Sequence, residues 1–228
     1  MASTALITGA SRGLGLALAR ALAARQWRLV IDARGADGLE AARRELAGLT
    51  DVVALVGDVA DERHRVALVT AAGDRIDALV NNASVLGPSP QPTLDAYPLD
   101  VLEHVLKVNA LAPLRLIQLA LPAMPDGARI VNVTSDAAVE AYEGWGGYGA
   151  SKAALEQLTQ VLAVERPQLA VYAFDPGDMN TTLHQEAFPG EDISDRPPPA
   201  DSVPALLGLL TGDLPSSRYR DADVKVGS

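Results

Sequence analysis

The sequence feature that most constrains the fold is a glycine-rich turn between a short apolar strand and an amphipathic helix. Residues 5–8 form the predicted strand, and residues 9–15, which read GASRGLG, follow it directly. Leu14, Leu18 and Leu22 then recur at helical spacing. Glycines let the backbone approach a pyrophosphate, and the helix N-terminus adds N–H donors and a positive dipole end. The turn predicts a nucleotide-binding α/β fold, with a plain tight turn as the alternative.

The rest of the chain alternates apolar strands with helices. Predicted strands cover residues 29–33, 52–56, 76–80, 130–133 and 169–174. Predicted helices cover residues 38–46, 61–70, 99–124, 153–164 and 203–210. Apolar strands separated by helices predict a parallel sheet with helices on both faces. The polar tail, residues 219–228, is predicted to add an edge strand. The chain shows no repeat and no linker, so residues 1–228 are predicted to form a single domain.

Polar residues follow the predicted strands. Asp58 and Val59 follow one strand, residues 81–84 (NNAS) the next, and residues 175–177 (DPG) the last. Ligands of parallel sheets bind outside the carboxyl ends of the strands. These clusters therefore predict one shared nucleotide site.

The strand at residues 130–133 leads through Ser135 to Tyr148 and Lys152, which lie four residues apart at the start of a helix. That spacing directs the phenol and the ammonium into the same space. A nearby cation favours the phenolate and lowers the tyrosine pKa from its ordinary value of about 10 towards working pH. Tyr148 is therefore a candidate general acid or base, although Tyr and Lys also meet at this spacing by chance in many helices.

Asn109 and Pro113 lie near the middle of the predicted helix 99–124. A proline inside a helix removes a hydrogen bond and kinks the helix. Two interpretations of Asn109 stay open. Either it lies where the backbone geometry is disturbed, or it is an ordinary solvated polar residue.

Composition excludes several classes of partner and site. The net charge is −10, from 19 basic and 29 acidic residues, and there is no basic tract, which argues against nucleic acid and anionic membranes. The chain has no cysteine and therefore no disulfide or thiolate metal site. His64, His104 and His184 lack metal-ligand spacing, so they are interpreted as surface residues and no metal site is predicted. No signal peptide is apparent, and the apolar runs are shorter than the roughly 20 residues that span a bilayer, which predicts a soluble, cytoplasmic protein.

Residues 178–200 differ in composition from the rest and include a run of three prolines. A long segment without periodicity is typically a functional loop, so we interpret it as a lid over the site. Trp145, three residues before Tyr148, has two open interpretations. It walls the substrate pocket and favours an apolar or ring-shaped substrate, or it packs against the lid.

Taken in order, these motifs resemble those of the short-chain dehydrogenase/reductase family over nearly the whole chain. TGASRGLG at residues 8–15 is similar to the family's TGxxxGxG turn. NNAS at residues 81–84 is similar to NNAG, with Ser84 in place of the usual glycine. PGDMNT at residues 176–181 resembles PG-x-x-x-T, which contacts the nicotinamide carboxamide.

The remaining motifs concern the catalytic set. Ser135 precedes Tyr148 by the family's usual 13-residue step, and Tyr148 with Lys152 matches its Y-x-x-x-K. Asn109 falls where the family keeps an active-site asparagine.

The resemblance implies a Rossmann-like, doubly wound, seven-stranded parallel sheet with helices on both faces. It also implies a nicotinamide cofactor and hydride transfer between that cofactor and a small carbonyl or alcohol. Tyr148 would be the general acid or base, and Lys152 would stabilise the phenolate and hold the nicotinamide ribose. Ser135 would donate to the substrate oxygen, and Asn109 would hold a water that links Lys152 to solvent.

The predicted site residues form two groups. The catalytic residues are Asn109, Ser135, Tyr148 and Lys152. The cofactor-binding residues are Gly9, Ser11, Arg12, Gly13, Leu14, Gly15, Arg34, Asp58, Val59, Asn82, Ala83, Tyr148, Lys152, Pro176, Gly177, Met179 and Thr181.

The resemblance also bears on the choice between NADP and NAD. Relatives that prefer NAD carry an acid after the second strand, and here Ala33 takes that position and Arg34 follows. Arg12 adds a second guanidinium suited to a phosphate. We therefore predict NADP. NAD stays possible because Asp32 is one residue away, and because Arg12 and Arg34 can also be read as merely solvated.

The family's usual interfaces, the helix around Asn109 and the helix after Lys152, imply a homodimer or a homotetramer. The polar tail favours the dimer. A non-catalytic dinucleotide-binding sensor is the alternative function, which the complete catalytic set disfavours. An epimerase or dehydratase would need a longer substrate domain.

Overall fold

The structure, a computed structural model, describes residues 2–224. Within these residues, parallel strands form one seven-stranded sheet in the order β3-β2-β1-β4-β5-β6-β7. The strands are β1 (Thr4–Ile7), β2 (Arg28–Ala33), β3 (Val52–Val56), β4 (Ala78–Asn81), β5 (Arg129–Val133), β6 (Ala170–Asp175) and β7 (Ser217–Arg220). The helices are α1 (Gly13–Ala23), α2 (Ala36–Leu46), α3 (Glu62–Ala72), α4 (Leu99–Leu106), α5 (Ala112–Ala120), α6 (Gly146–Glu165), α7 (Thr182–Ala187) and α8 (Val203–Thr211). The predicted doubly wound parallel sheet is confirmed.

Successive strand residues point to opposite faces of the sheet, which divides the core in two. Ile7 of β1 packs in a cluster with residues of α1, α2 and α8. Its neighbour Leu6 packs on the opposite face with residues of α3, α5 and α6. Helices therefore cover both faces, as apolar parallel strands require.

The strand order reverses at β1. The chain runs outward from β1 to β2 and β3, then returns to place β4 on the other side of β1. Loops leaving the carboxyl ends of β1 and β4 diverge at this point, which opens a crevice where ligands of such sheets bind.

Local sequence sets the ends of α3. Asp61 caps the N-terminus by accepting a hydrogen bond from the Arg63 N–H at 2.9 Å. Gly73 ends the helix with φ of +82°, a conformation that glycine adopts without a steric penalty.

The predicted helix 99–124 is interrupted. A π-helical turn, Lys107–Leu111, separates α4 from α5, and Asn109 lies within it with no exposed surface. The interpretation of disturbed backbone geometry is confirmed, and that of a solvated residue is wrong. Pro113 lies in the first turn of α5, where its missing N–H is tolerated.

Two further predictions from the sequence concern membrane-spanning segments and the C-terminal tail. Among the described residues, the helical stretch Leu99–Ala123 is long and apolar enough to cross a membrane, although half of its most apolar window is buried inside the protein. An edge strand, β7, is present parallel to β6, but it begins at Ser217 and shares only residues 219 and 220 with the predicted tail. Residues 225–228 of that predicted tail lie outside the described residues.

We expect Phe174→Ala to destabilise the fold strongly. Phe174 on β6 has no exposed surface and belongs to the larger core cluster, so truncation leaves a cavity. The expected loss in the free energy of unfolding is about 3–5 kcal/mol, measured by urea denaturation. Arg63→Ala, at an exposed side chain on α3, serves as the control and should change the value by less than about 0.5 kcal/mol. Equal losses in both variants would contradict the assignment of Phe174 to the core.

Candidate active site

A cavity of about 1460 Å³ lies at the carboxyl ends of strands β1 to β6. All the predicted site residues line it except Gly15 and Asn109. The structure thus brings the predicted catalytic and cofactor-binding groups to one place, with Gly15 and Asn109 directly behind its wall.

The glycine turn forms one end of the cavity. Gly9 has φ of +68°, and its N–H donates to Asp32 Oδ1 at 2.8 Å. A Cβ on Gly15 would lie 2.6 Å from the Gly9 carbonyl oxygen, so only glycine lets α1 pack this closely on the turn. Arg12 is extended and exposed, and α1 begins directly after it. The first-turn N–H groups of α1 therefore face the cavity end where an anion would bind.

The NNAS segment is fastened to this turn by hydrogen bonds. Thr8 Oγ1 accepts from the backbone N–H groups of Asn82 and Ala83, each at 3.0 Å. The Asn82 side-chain amide donates in return to the carbonyl oxygens of Thr8, at 2.9 Å, and Gly9, at 3.1 Å. These bonds join the ends of β1 and β4 across the point where the strand order reverses.

Asp32 has both of its carboxylate oxygens occupied. Oδ1 accepts from Gly9, and Oδ2 lies 2.9 Å from His64 Nε2. The Asp32 side chain is 1% exposed and that of His64 is 8% exposed. The interpretation of His64 as a surface residue is wrong, because the buried carboxylate requires this partner.

His184 also differs from the sequence interpretation. It is buried because its ring packs on Phe188, with 4.9 Å between ring centroids. His104 is exposed, as predicted. Among residues 2–224, no group of three His, Cys, Asp or Glu side chains is placed to hold a metal ion.

Tyr148 and Lys152 lie on one face of α6 and line the same part of the cavity. Lys152 Nζ is 5.6 Å from the centroid of the Tyr148 ring and donates to the Val133 carbonyl at 2.8 Å. Burial lowers the pKa of Lys152 to about 8, and the Glu156 carboxylate one turn further along α6 opposes that shift. Burial raises the pKa of Tyr148, against the lowering effect of a Ser84 hydrogen bond. The expected fall of the Tyr148 pKa is therefore wrong for the protein alone, because desolvation of the phenolate outweighs the Ser84 hydrogen bond.

Ser135 follows β5 and points its hydroxyl at the next residue. Its Oγ donates to Asp136 Oδ1 at 2.8 Å and accepts from the Ala137 N–H at 3.2 Å. The other Asp136 oxygen accepts from the Tyr142 hydroxyl at 3.0 Å. Ser135 and Asp136 both line the cavity, which places a carboxylate beside the predicted catalytic serine.

Asn109, behind the cavity wall, contacts residues of the site through its side chain. Its Oδ1 accepts from the Ser84 hydroxyl at 3.2 Å and from the Val85 N–H at 2.9 Å. Its Nδ2 donates to the Val85 carbonyl and to Ser151 Oγ. Ser151 precedes Lys152, so the π-helical turn fastens the NNAS segment to α6.

Aromatic rings form the opposite end of the cavity. Trp145 packs edge-on against Tyr148 at 5.8 Å and tilted against Phe188 at 5.9 Å, measured between centroids. Trp145 lines the cavity, and Phe188 belongs to the segment 178–200. Trp145 therefore both lines the cavity and packs against the segment 178–200, and its effect on the choice of substrate stays a prediction. That segment also contains α7, capped by Thr181, where only irregular structure was expected.

Several residues around the site were assigned no role from the sequence. Ser84 and Asp136 line the cavity, and Glu156 and Arg218 lie behind it. Glu156 continues the spacing of four that links Tyr148 to Lys152, which is a usable sequence signal. Arg218 comes from the far edge of the sheet and has no such local signal.

Comparison with known proteins identifies related chains. A family model described as short chain dehydrogenase matches residues 3–192. Short chain dehydrogenase asqE of Emericella nidulans is 37% identical over 175 residues, which cover 71% of this chain and 64% of that one, so the chain spans less than two thirds of that relative. Benzil reductase ((S)-benzoin forming) of Saccharomyces cerevisiae is 31% identical over 236 residues, covering 98% of this chain and 87% of that one. Sepiapterin reductase of Bos taurus is 31% identical over 199 residues, covering 80% and 74%.

Solved structures show the same architecture. A short chain dehydrogenase from Pseudomonas syringae has a TM-score of 0.90 at 27% identity, covering 96% of this chain and 94% of that one. One from Escherichia coli CFT073, complexed with NADPH, has a TM-score of 0.84 at 28% identity and 96% coverage of both chains. 3-Oxoacyl-[acyl-carrier protein] reductase from Brucella melitensis, in complex with NAD, has a TM-score of 0.85 at 28% identity, covering 97% and 96%.

We expect Lys152→Met to stabilise the fold near neutral pH. The folded pKa of Lys152, about 8, lies below its ordinary value of 10.5, so the unfolded chain binds more protons between these values. The buried charge of Lys152 therefore lowers the stability of the wild-type protein fully below about pH 8. This loss of stability becomes smaller as pH rises towards 10.5. After loss of the Val133 hydrogen bond, the net gain is on the order of 2 kcal/mol.

Denaturant unfolding at a series of pH values measures this difference. The stability gap between Lys152→Met and wild type should narrow as pH rises between about 8 and 10.5. Lys107→Met, at an exposed lysine, is the control and should show no such trend. A gap that stays constant for Lys152→Met would rule out a lowered Lys152 pKa.

Proposed function

Because the chain belongs to the short-chain dehydrogenase family, we propose that it is an NADP(H)-dependent oxidoreductase that reduces a carbonyl of an uncharged, ring-bearing substrate. The observation that carries this proposal is the convergence of Ser135, Tyr148 and Lys152 on one cavity with the glycine turn. The family relationship supports the reaction class, and the residues that line the cavity support the cofactor form and the substrate class.

The cavity residues fit a nicotinamide dinucleotide. The volume of about 1460 Å³ exceeds the roughly 300–1,000 Å³ of a pocket for one small ligand, which leaves room for a dinucleotide and a substrate. The N-terminus of α1 and the guanidinium groups of Arg12 and Arg34 would hold phosphates, and Asp58 and Val59 would contact the adenine. When bound, the dinucleotide supplies the hydride. The protein supplies orientation and the proton.

The proton would come from Tyr148. Burial keeps its phenol protonated, which suits a donor to a carbonyl oxygen that gains negative charge. Ser135 Oγ, which donates to Asp136 in this structure, would turn to donate to the same oxygen. Lys152 would place a positive charge beside the phenolate that remains after proton transfer. Asn109, through its contacts to Ser84 and Ser151, would hold these groups in register.

The side chains at the end of β2 support a preference for NADP(H). Ala33 offers no acceptor for a ribose 2′-hydroxyl, and both oxygens of Asp32 are occupied by Gly9 and His64. Asp32 is therefore not free to take the role of the missing acid. Arg34, exposed beside it, would instead pair with a 2′-phosphate. The related structures from Escherichia coli and Brucella melitensis, in complex with NADPH and NAD respectively, are consistent with either dinucleotide fitting this fold.

The far end of the cavity supports a neutral aromatic substrate. Trp145 walls it, with Leu86, Leu183 and Ala187 in the same apolar cluster. Apart from Lys152, the Lys and Arg side chains that line the described cavity are Arg12, Arg20 and Arg34, all near the glycine turn or the end of β2. Asp136 and Asp178 line it instead, so an anionic substrate would meet like charge. The names of the benzil and sepiapterin reductases also point to ring-bearing carbonyl compounds.

Exposed apolar side chains support the predicted homodimer. Leu111 on the π-helical turn is 57% exposed, and Val164 on α6 is 82% exposed. These elements are the ones through which the family resemblance implies association. A homodimer and a cytoplasmic location stay predictions.

We expect the purified protein to consume NADPH with uncharged aromatic ketones and vicinal diketones such as benzil, and more slowly with keto acids of similar size. Tyr148→Phe should lower kcat by roughly 10²–10⁴-fold, because the proton donor is lost, while NADPH binding is retained. Tyr219→Phe, on the edge strand, is the matched control and should keep full activity. Tight NADPH binding without turnover of any carbonyl would favour the sensor over the enzyme.

We expect Arg34→Ala to raise the KM for NADPH by roughly ten- to hundredfold, because one charge-assisted contact to the 2′-phosphate is lost. The KM for NADH should not change. Steady-state kinetics with both dinucleotides measure the effect, and Arg25→Ala, at an exposed arginine beyond the end of α1, is the control. An unchanged KM for NADPH in Arg34→Ala would refute the predicted cofactor preference.

A further inference from the structure

Arg218 of the edge strand β7 reaches into the region behind the active site. Its Nε lies 2.9 Å from Glu156 Oε1, and its Nη2 lies 2.9 Å from Asp175 Oδ2. The same Nη2 donates to the carbonyl oxygen of Ser135 at 3.3 Å. One guanidinium thus joins α6, the end of β6 and the predicted catalytic serine.

Glu156 adds a second set of contacts. Its Oε1 also accepts from the Thr134 hydroxyl at 2.8 Å, and its side chain is 5% exposed. It follows Tyr148 and Lys152 on the same face of α6, one turn beyond the lysine. The carboxylate therefore lies one helical turn from Lys152, pairs with Arg218 and contacts the segment that leads from β5 to Ser135.

Stability alone does not explain this arrangement. Two carboxylates and one guanidinium lose most of their water, and an ion pair so buried is often no more stabilising than apolar side chains of the same volume. Its distinctive property is geometric. Each charged atom accepts or donates along a fixed direction, and the groups held are the Ser135 backbone and the residue that begins the DPG turn.

We propose that Arg218 and Glu156 are positioning residues for the reaction, which hold the Thr134–Ser135 segment in place and keep a carboxylate one turn from Lys152. This inference rests on the proposed function only in taking Ser135, Tyr148 and Lys152 as the catalytic groups.

The charges around Lys152 determine how each variant should behave. Glu156 raises the pKa of Lys152, whereas Asp136 and Asp175 raise that of Tyr148. Arg218 offsets the charges of Glu156 and Asp175. Loss of the Glu156 charge should therefore lower the Lys152 pKa, and loss of the Arg218 charge should raise it.

Two variants separate a positioning role from a structural one. Glu156→Gln keeps an oxygen that can accept from Thr134 and Arg218, and it should shift the Lys152 titration to lower pH by on the order of one unit. Arg218→Met should shift it to higher pH and lower kcat by about ten- to hundredfold with little change in KM, because Ser135 is displaced. Arg218→Lys should recover part of kcat. Glu165→Gln, at an exposed position at the end of α6, is the control and should change neither quantity.

The titration is read without any activity assay, by NMR of protein labelled with ¹³C-lysine. Lys107, Lys152 and Lys225 are the lysines of the chain, and Lys152→Met identifies the signal of interest. The pH dependence of kcat for NADPH-driven carbonyl reduction should then shift in the same direction in each variant. A Lys152 signal and a pH profile that move in neither variant, with loss of stability alone, would overturn this inference. A wild-type protein that turns over no carbonyl, with lysine shifts as expected, would overturn the proposed function instead.

Discussion

The hydrogen bonds between Thr8 and the Asn82–Ala83 backbone are the interaction on which the site depends. β1 and β4 are neighbours in the sheet, and their ladder ends where the Thr8 N–H donates to the Val80 carbonyl at 3.0 Å. Beyond this point the loops that leave the two strands diverge, and side-chain hydrogen bonds continue the connection. The Thr8 hydroxyl accepts two N–H groups there, and the Asn82 amide returns two bonds to the turn. These bonds therefore fix the bottom of the crevice between the loops. The glycine turn, the NNAS segment and α6 are arranged around it.

Several charged side chains are buried around this crevice, and stability alone does not explain their burial. Asp32, Lys152, Glu156 and Asp175 are each 4% exposed or less. Each is held by a backbone or side-chain partner, which satisfies the requirement that buried charges be paired. Lys152 is the clearest case, because burial lowers its pKa to about 8 and the fold would be more stable with an apolar residue there. A buried charged group whose pKa is shifted in this way is typical of a functional site.

Much of this architecture could be predicted from the sequence because the signals are local. Apolar runs and glycine spacing identify the strands and the turn, and the polar residues after each strand must meet at one edge of a parallel sheet. The errors have long-range causes. His64 is buried because Asp32, a distant residue in sequence, faces it, and the Tyr148 pKa rises because the surrounding fold removes water from the phenol. Arg218 could not be assigned from its surroundings in the sequence, since its partners lie on α6 and at the end of β6.

The same burial bears on the proton transfer proposed for Tyr148. A phenol whose pKa is raised readily keeps its proton until a stronger base appears beside it, and the oxygen of a carbonyl that accepts hydride becomes such a base. In the reverse direction the phenol must first lose its proton to solvent, which the dry surroundings of Tyr148 oppose. The Lys152 ammonium reduces that cost when it is protonated, and Glu156 favours its protonation. We therefore expect the balance between these two buried groups, more than the presence of either, to set the pH range in which the proposed proton transfer is fast in each direction.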